Sequence, residues 1–465
     1  MSKPEYRIWN KQLLSGKKIL VMGLGRFGGG VDSARFAVKA GGKVIVTDLA
    51  SAEKMCDSVG RLAELGDIEY HLGGHRRADF EEADIIVVNP AVAADNEFVE
   101  IARQGNKLLT TQINIFFELC PARIIGITGA NGKSTTAALT AHLLKGGGGQ
   151  ENRNYGKVWL SGNIGNEPLL AELERIGVDD LVVLELSSFQ LEQLAWVGKA
   201  PKVALLTNLT PNHLDRHGTF ANYCAAKENI FKYQRADEGG AAISIFNAED
   251  NIGAEWFEKY KEQAGRVCMK FSADDVSEKI RGRFGLAGRA NLSNLAAAIA
   301  IAKHFGVEED VMKDCLSGFK SLPYRLELVA QSGGVCWYND SIATTPASAI
   351  VALEAFEQPK IIIAGGYDKG LSFEELGEKM AQRAKAVILI GQTGEKIADA
   401  IRKHPQGDAK VEFAGTLAEA VELAGELAAS GDVVLLSPGC ASYDMFDNFE
   451  HRGREFVKAV QQICG

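Results

Sequence analysis

The stretch GITGANGKSTT, residues 126–136, follows the apolar run RIIGI and precedes STTAALTAHLLK, whose apolar spacing suits a helix. Strand, glycine turn and helix is the context in which backbone N–H groups and a helix N-terminus converge on phosphate. The usual P-loop has a glycine, four residues and then Gly-Lys-Ser/Thr. Counted back from Gly132-Lys133-Ser134, that first glycine falls on Ile127. The loop here is shorter, running Gly129-Ala130-Asn131-Gly132-Lys133-Ser134-Thr135. Gly129 and Gly132 permit the tight turn, Lys133 can reach the β and γ phosphates of a nucleotide, and Ser134 can offer a hydroxyl to Mg²⁺. The competing reading is a structural glycine-rich turn.

Outward from this loop, short apolar runs alternate with longer helical patterns: KKILVMG, KVIVTD, DIIVVN, RIIGIT, DLVVLEL, KVALLTN, KIIIAGG, AVILIG and DVVLLSPG. Each is too short for a typical helix and too uniformly apolar for a one-sided strand, so parallel strands buried between helices are expected. The fold class is therefore α/β. Three groupings emerge, residues 1–120, 121–321 and 322–465, with prolines in ELCPARI and KSLPYRLE interrupting the pattern at the joins. The glycine-rich segment 145–157, KGGGGQENRNYGK, reads as a mobile loop after a helix.

The 465 residues suffice for two to four domains with their own cores. With 51 basic against 60 acidic residues, a net charge of −9 and no long Lys/Arg run, nucleic acid is not an expected partner. The eight cysteines form no CxxC pair, which fits reduced thiols in a cytosolic protein and neither a disulfide frame nor a zinc site. The N-terminal stretch lacks the apolar core of a signal peptide, and no run approaches the roughly 20 apolar residues that span a bilayer.

Near the start, VMGLGRFG contains Gly23-x-Gly25-x-x-Gly28 after an expected strand, and Asp48 ends the next strand. This nearly completes the dinucleotide fingerprint, in which glycines admit a pyrophosphate at a helix N-terminus and an acidic residue binds a ribose hydroxyl. NAD(P), FAD, another nucleotide diphosphate or a tight structural turn all satisfy it.

The shortened P-loop resembles that of the Mur ligases and folylpolyglutamate synthetases, which are ATP-dependent amide ligases, and further motifs extend the resemblance. LELSSFQLE, residues 184–192, carries Glu185, similar to the family's magnesium-binding glutamate, with Ser187 and Gln190 matching neighbouring substrate and metal contacts. TNLTPNHLDRHGTFANYCAAKENIF supplies His213, like the family's second metal ligand, and Lys227, matching the lysine that the family carbamylates. On bare sequence these would be a structural glutamate, a core or surface histidine and a solvated helix lysine. Asn291 and Asn294 match nucleotide contacts, with helix capping as the ordinary alternative. Arg325 and Asp340 match further ATP-site residues, and Thr344, Lys369, Ser442 and Phe449 match an amino-acid site. The block LLSPGCASYDMFDNFEHRGREF is the most specific, and points to the branch of the Mur ligases that adds D-glutamate.

The resemblance implies three domains: a Rossmann-like N-terminal domain for a UDP-linked substrate, a central P-loop ATPase-like domain and a Rossmann-like C-terminal domain. It assigns Gly23, Gly25, Arg26, Phe27, Asp48, Asn89 and Asn163 to the UDP-sugar, displacing the redox cofactors. The implied reaction joins glutamate to UDP-N-acetylmuramoyl-L-alanine through an acyl phosphate, with ATP, two Mg²⁺ and carbamylated Lys227, in a cytoplasmic monomer making peptidoglycan precursors. Lys133, His213 and Lys227 are the expected catalytic residues, and Ser134, Glu185, His213 and Lys227 the metal ligands. The sequence departs from the family at Asn89-Pro90-Ala91, where Ser-Pro-Gly is common, at Asn212, where Asp is common, and at Ile342, often Lys. A related ligase adding L-glutamate or another amino acid, a dehydrogenase and a non-catalytic nucleotide sensor are the rival readings.

Overall fold

The computed structural model describes residues 11–25, 28–93, 95–149, 154–162, 164, 169–405 and 407–464. The chain divides into two compact units, the first holding residues up to Ser272 with Ala297–Met312, and the second Ala273–Ala296 with Lys313 onward. Three sheets lie within them, two in the first unit and one in the second.

The first sheet contains β1 (Lys18–Met22), β2 (Lys43–Asp48), β3 (Glu69–Leu72), β4 (Ile85–Val88) and β5 (Leu108–Thr110), in the order β3-β2-β1-β4-β5. All its pairings are parallel. The second contains β6 (Arg123–Thr128), β7 (Val158–Gly162), β8 (Leu181–Glu185), β9 (Val203–Leu206), β10 (Ala242–Asn247) and β11 (Arg266–Phe271). Their order is β11-β10-β9-β6-β8-β7, again all parallel. Parallel strands need crossover helices, which cover both faces and explain why β4, β8 and β9 are almost wholly Val, Ile and Leu.

One apolar cluster runs through both sheets of the first unit, from Ile19 and Val46 through Phe116 to Leu184, Leu191 and Leu206. The helix Gln112–Leu119 contributes Ile113, Ile115 and Phe116 to it, so the two sheets share a core.

The second unit's sheet contains β12 (Glu327–Ser332), β13 (Val335–Asn339), β14 (Lys360–Gly365), β15 (Ala386–Ile390), β16 (Lys410–Phe413) and β17 (Val433–Leu436). The order is β12-β13-β17-β14-β15-β16, with β12 antiparallel to β13. The helix Glu374–Arg383, after β14, puts Leu376 and Met380 into one core, whereas Phe449–Cys464, after β17, puts Phe456 and Val460 into another. Connections leaving in opposite directions open a crevice at the carboxyl ends of β14 and β17.

Candidate active site

In the second sheet the chain builds outward from β6 on both sides, with β8 and β7 to one side and β9, β10 and β11 to the other. Ligands of open parallel sheets bind at such a switch point, beyond the strand ends. The short P-loop leaves β6 there. Gly129 has φ +148, and a Cβ on it would lie 1.9 Å from the Thr207 hydroxyl, so only glycine passes beneath the loop that follows β9. Gly132 caps the helix Lys133–Gly146 in the left-handed region, φ 81.

The loop is tied down by its neighbour. The Ala130 N–H donates to the Asn208 carbonyl at 2.8 Å and the Asn131 N–H to Asn208 Oδ1 at 3.0 Å. The Thr207 hydroxyl and Asn208 Nδ2 both donate to the Asn131 carbonyl, at 2.6 and 3.1 Å. Lys133 Nζ folds back onto the Ala130 carbonyl at 2.8 Å, and Ser134 and Thr135 are buried in the first helical turn.

Glu185 closes β8 beside the loop, 2% exposed. Lys227, on the helix Phe220–Lys232, is likewise 2% exposed and donates to the Thr128 hydroxyl at 3.2 Å. Burial first, then the positive charge of Lys133, push the Lys227 amine well below its usual value, while Glu185 pulls it upward. The neutral amine is thereby favoured, and a carboxylate and two lysines share one small region. His213 adopts the left-handed region, φ 52, at the start of a short turn, with its ring 5.2 Å from Phe189. Burial, then Lys227 and Lys133, lower its pKa, which favours the neutral, metal-ligating imidazole. The Glu185 carboxylate, the Ser134 hydroxyl and the His213 imidazole could supply part of the shell of a Mg²⁺ that also bears phosphate oxygens. Among the described residues no three His, Cys, Asp or Glu gather as a self-sufficient metal cage. Ser187 and Gln190 are engaged with each other: the Ser187 N–H and hydroxyl donate to Gln190 Oε1 at 2.9 and 3.0 Å, capping the helix Ser188–Val197.

The other switch point of the first unit lies between β1 and β4. Gly23, φ 87, follows β1, and its carbonyl accepts from Asn89 Nδ2 at 3.1 Å after β4. Asp48 receives the Gly25 N–H at 3.1 Å and the Ala50 N–H at 2.8 Å, so its carboxylate shapes the cradle from within. Arg26, Phe27 and Asn163 lie outside the described residues, as do 150–153 of the expected glycine-rich loop.

The remaining expected residues lie in the second unit. Asn291 donates to the carbonyl of Ala287, just before the helix Arg289–His304, at 2.7 Å and accepts from Asn294 at 3.3 Å; both asparagines lie inside that helix, so neither serves as its N-cap. Asp340, after β13, is buried, accepts the Ser437 hydroxyl at 2.8 Å and the Leu326 N–H at 3.2 Å, and is pushed up to about 7 by burial. The charges of Arg325 and then Arg452 pull it back down. Lys369 is exposed just beyond β14, Ser442 is buried beyond β17, and the Tyr367 N–H joins the two loops through the Ala441 carbonyl at 2.9 Å. Thr344 is half-buried, and Phe449 meets Tyr324 edge to face at 6.0 Å.

Several supporting residues escaped the sequence reading. Thr207 and Asn208, which hold the P-loop, stand in the quoted TNLTPNH motif but carry no signature of their own. Arg452, 1% exposed, holds the carbonyls of Ser341 and Cys440 at 2.8 and 3.1 Å and fixes the Ser442 loop. A buried arginine satisfied by carbonyls leaves no charge pattern to read.

Residues 127–284 match the Mur ligase middle domain, residues 324–440 the Mur ligase glutamate ligase domain, and residues 17–109 the MurD-like N-terminal domain of Mur ligases. A UDP-N-acetylmuramoylalanine–D-glutamate ligase of Roseiflexus sp. is 39% identical, across 97% of this chain and 99% of the relative. The chain belongs to the Mur ligase family. A ligase of the same name from Thermoanaerobacter sp. is 37% identical over 97% of this Mur ligase and 99% of the relative. Among solved structures, MurC of Thermotoga maritima superposes with a TM-score of 0.58 at 19% identity, covering 96% of this chain and all of that one. MurF of the same organism, solved with ADP, gives 0.57 at 17% identity, over 98% and 97% of the two chains. These distant likenesses show that the Mur ligase fold is shared.

Proposed function

We propose that this Mur ligase is the ATP-dependent enzyme that adds D-glutamate to UDP-N-acetylmuramoyl-L-alanine in peptidoglycan precursor synthesis. The observation that carries the reading is the gathering of the short P-loop, Glu185 and buried Lys227 at one switch point, in a chain whose full-length relatives bear that activity in their names.

The backbone N–H groups at the start of the helix Lys133–Gly146 receive the phosphates of ATP, and Lys133 exchanges the Ala130 carbonyl for their oxygens. The alanyl carboxylate attacks the γ-phosphorus, the bond to the β-phosphate oxygen breaks, and ADP departs. The glutamate amine then attacks the acyl carbon, sheds a proton and expels phosphate, leaving an amide. Ser134, Glu185, His213 and Lys227 as its carbamate would hold Mg²⁺. The metal, when bound, neutralises charge on the transferring phosphoryl group. Neutral Lys227 can attack CO₂ and lose a proton, turning a buried neutral amine into an anion beside Lys133. The new negative charge would then be paired with that of Lys133.

By the same reading Gly129, Ala130, Asn131, Gly132 and Thr135 contact ATP, as do Asn291, Asn294, Arg325 and Asp340. Gly23, Gly25, Arg26, Phe27, Asp48, Asn89, Asn163, Ser187 and Gln190 contact the UDP-sugar, and Thr344, Lys369, Ser442 and Phe449 the glutamate. The protein is read as a cytoplasmic monomer; among the described residues no helix is long and apolar enough to cross a membrane. Phosphate release from ATP with the UDP-sugar and a panel of amino acids tests the assignment.

A further inference from the structure

Asp32 belongs to none of the motifs above, yet it is a carboxylate only 4% exposed in the first unit. It sits in the first turn of the helix Gly29–Lys39, which leaves the Gly23–Gly28 cradle. Its Oδ2 accepts from Gln112 Nε2 at 2.6 Å and from the Leu170 N–H at 2.8 Å, and Oδ1 accepts the Ala171 N–H at 3.2 Å. One carboxylate thus ties the first sheet's cradle helix to two other segments.

Each segment leads towards the phosphoryl-transfer end. Gln112 opens the helix Gln112–Leu119, whose Asn114 Nδ2 donates to the Gln193 carbonyl at 3.1 Å. Gln193 lies on the helix Ser188–Val197, which starts immediately beyond Glu185 and Ser187. Leu170 and Ala171 belong to the connection between β7 and β8, and β8 ends on Glu185. Two hydrogen-bonded routes therefore run from the cradle to Glu185, and both pass through Asp32.

We propose that Asp32 is a positioning residue that sets the span between the UDP cradle and the phosphoryl-transfer end. The inference rests on the functional reading above: a UDP-sugar held at both ends reacts only if that span matches its length, and a small misplacement costs rate steeply. Every partner of Asp32 is a donor, the Leu169 N–H included. Asn in its place must turn an NH₂ towards a donor whichever way its amide is set, so the latch loosens with little change of shape.

The test compares wild type and D32N with two acceptors, UDP-N-acetylmuramoyl-L-alanine and the same acceptor lacking uridine and one phosphate, and follows phosphate release. Loss of charge-assisted bonds should raise KM for the full acceptor about tenfold or more, with KM for ATP within about twofold. With the truncated acceptor, which cannot reach the cradle, D32N should match wild type within about twofold. Thermal midpoints confirm that both proteins are folded, and Gln112→Ala, which removes one partner, should show the same acceptor dependence more weakly. Equal losses with both acceptors, or no loss with the full one, overturn the proposal alone. A wild type inactive with the full acceptor overturns the functional reading and this proposal with it.

Discussion

Lys227 holds its amine 3.2 Å from the hydroxyl of Thr128, the last residue of β6, and Thr128 in turn donates its proton to the Leu186 carbonyl at 2.8 Å. The threonine is thereby oriented as an acceptor for Lys227, so the amine is aimed at the strand end from which the P-loop departs. Together with burial and the nearby charge of Lys133, this favours the neutral, nucleophilic amine that the proposed carbamate requires. A mass measurement under native conditions in bicarbonate buffer should show a gain of one CO₂, absent from Lys227→Ala. That variant should lose turnover and partly regain it with an added short carboxylate. A fully active enzyme with an unmodified Lys227 contradicts this role.

On the proposed reading, Lys133→Ala removes the cation that meets the β and γ phosphates of ATP. Contacts of this kind contribute about 3 to 4 kcal/mol, or roughly 10² to 10³ in rate. The variant should keep its thermal midpoint within a few degrees while phosphate release falls by that factor. Near-normal turnover by the folded variant would remove the P-loop assignment.

Gly129→Ala tests the backbone of the same loop. The new methyl would fall 1.9 Å from the Thr207 hydroxyl at φ +148, so the loop or the β9 end must move. Strain and overpacking of this kind cost about 1 to 3 kcal/mol. Lower thermal stability and weaker ATP binding should appear together; an unaffected KM for ATP shows that the loop does not cradle the nucleotide.

Asp340 gives the pH dependence of stability a sign. Its folded pKa is raised from 3.8 to about 7 by burial, so the folded state holds a proton that the unfolded state has released. The favourable contribution is complete below 3.8 and is lost as pH rises through about 7, at roughly 1.4 kcal/mol per unit within that window. Urea unfolding of Asp340→Asn between those limits should show a flatter profile than wild type. Parallel profiles would show that Asp340 does not titrate there.

The nine apolar runs quoted from the sequence all became strands: β1, β2, β4, β6, β8, β9, β14, β15 and β17. The six strands at the sheet edges, β3, β5, β7, β11, β12 and β16, were not legible, because an edge strand can carry polar residues such as those of EYHL and KVEF. The interior strands β10 and β13 also passed unread, since Ser244 and Asn247, or Tyr338 and Asn339, break the apolar run and find their partners only after folding. The site followed the same division. Gly129 and Lys133 announce themselves by spacing and Glu185 only through its resemblance to a family motif, whereas Thr207, Asn208, Asp32 and Arg452 act through groups of segments far away in sequence. Their roles are properties of the folded chain.

The most direct test of the central claim is the rate of phosphate release from ATP in the presence of UDP-N-acetylmuramoyl-L-alanine, measured with D-glutamate, L-glutamate and D-aspartate. On the proposed reading, Lys369 and Ser442 select the length of the side chain by pairing its carboxylate, and the walls around the amine and α-carboxylate select the hand, so D-glutamate should be favoured over each of the others by about tenfold or more. Preference for L-glutamate would contradict the stereochemistry, and indifference to glutamate of either hand would contradict the assignment of the substrate.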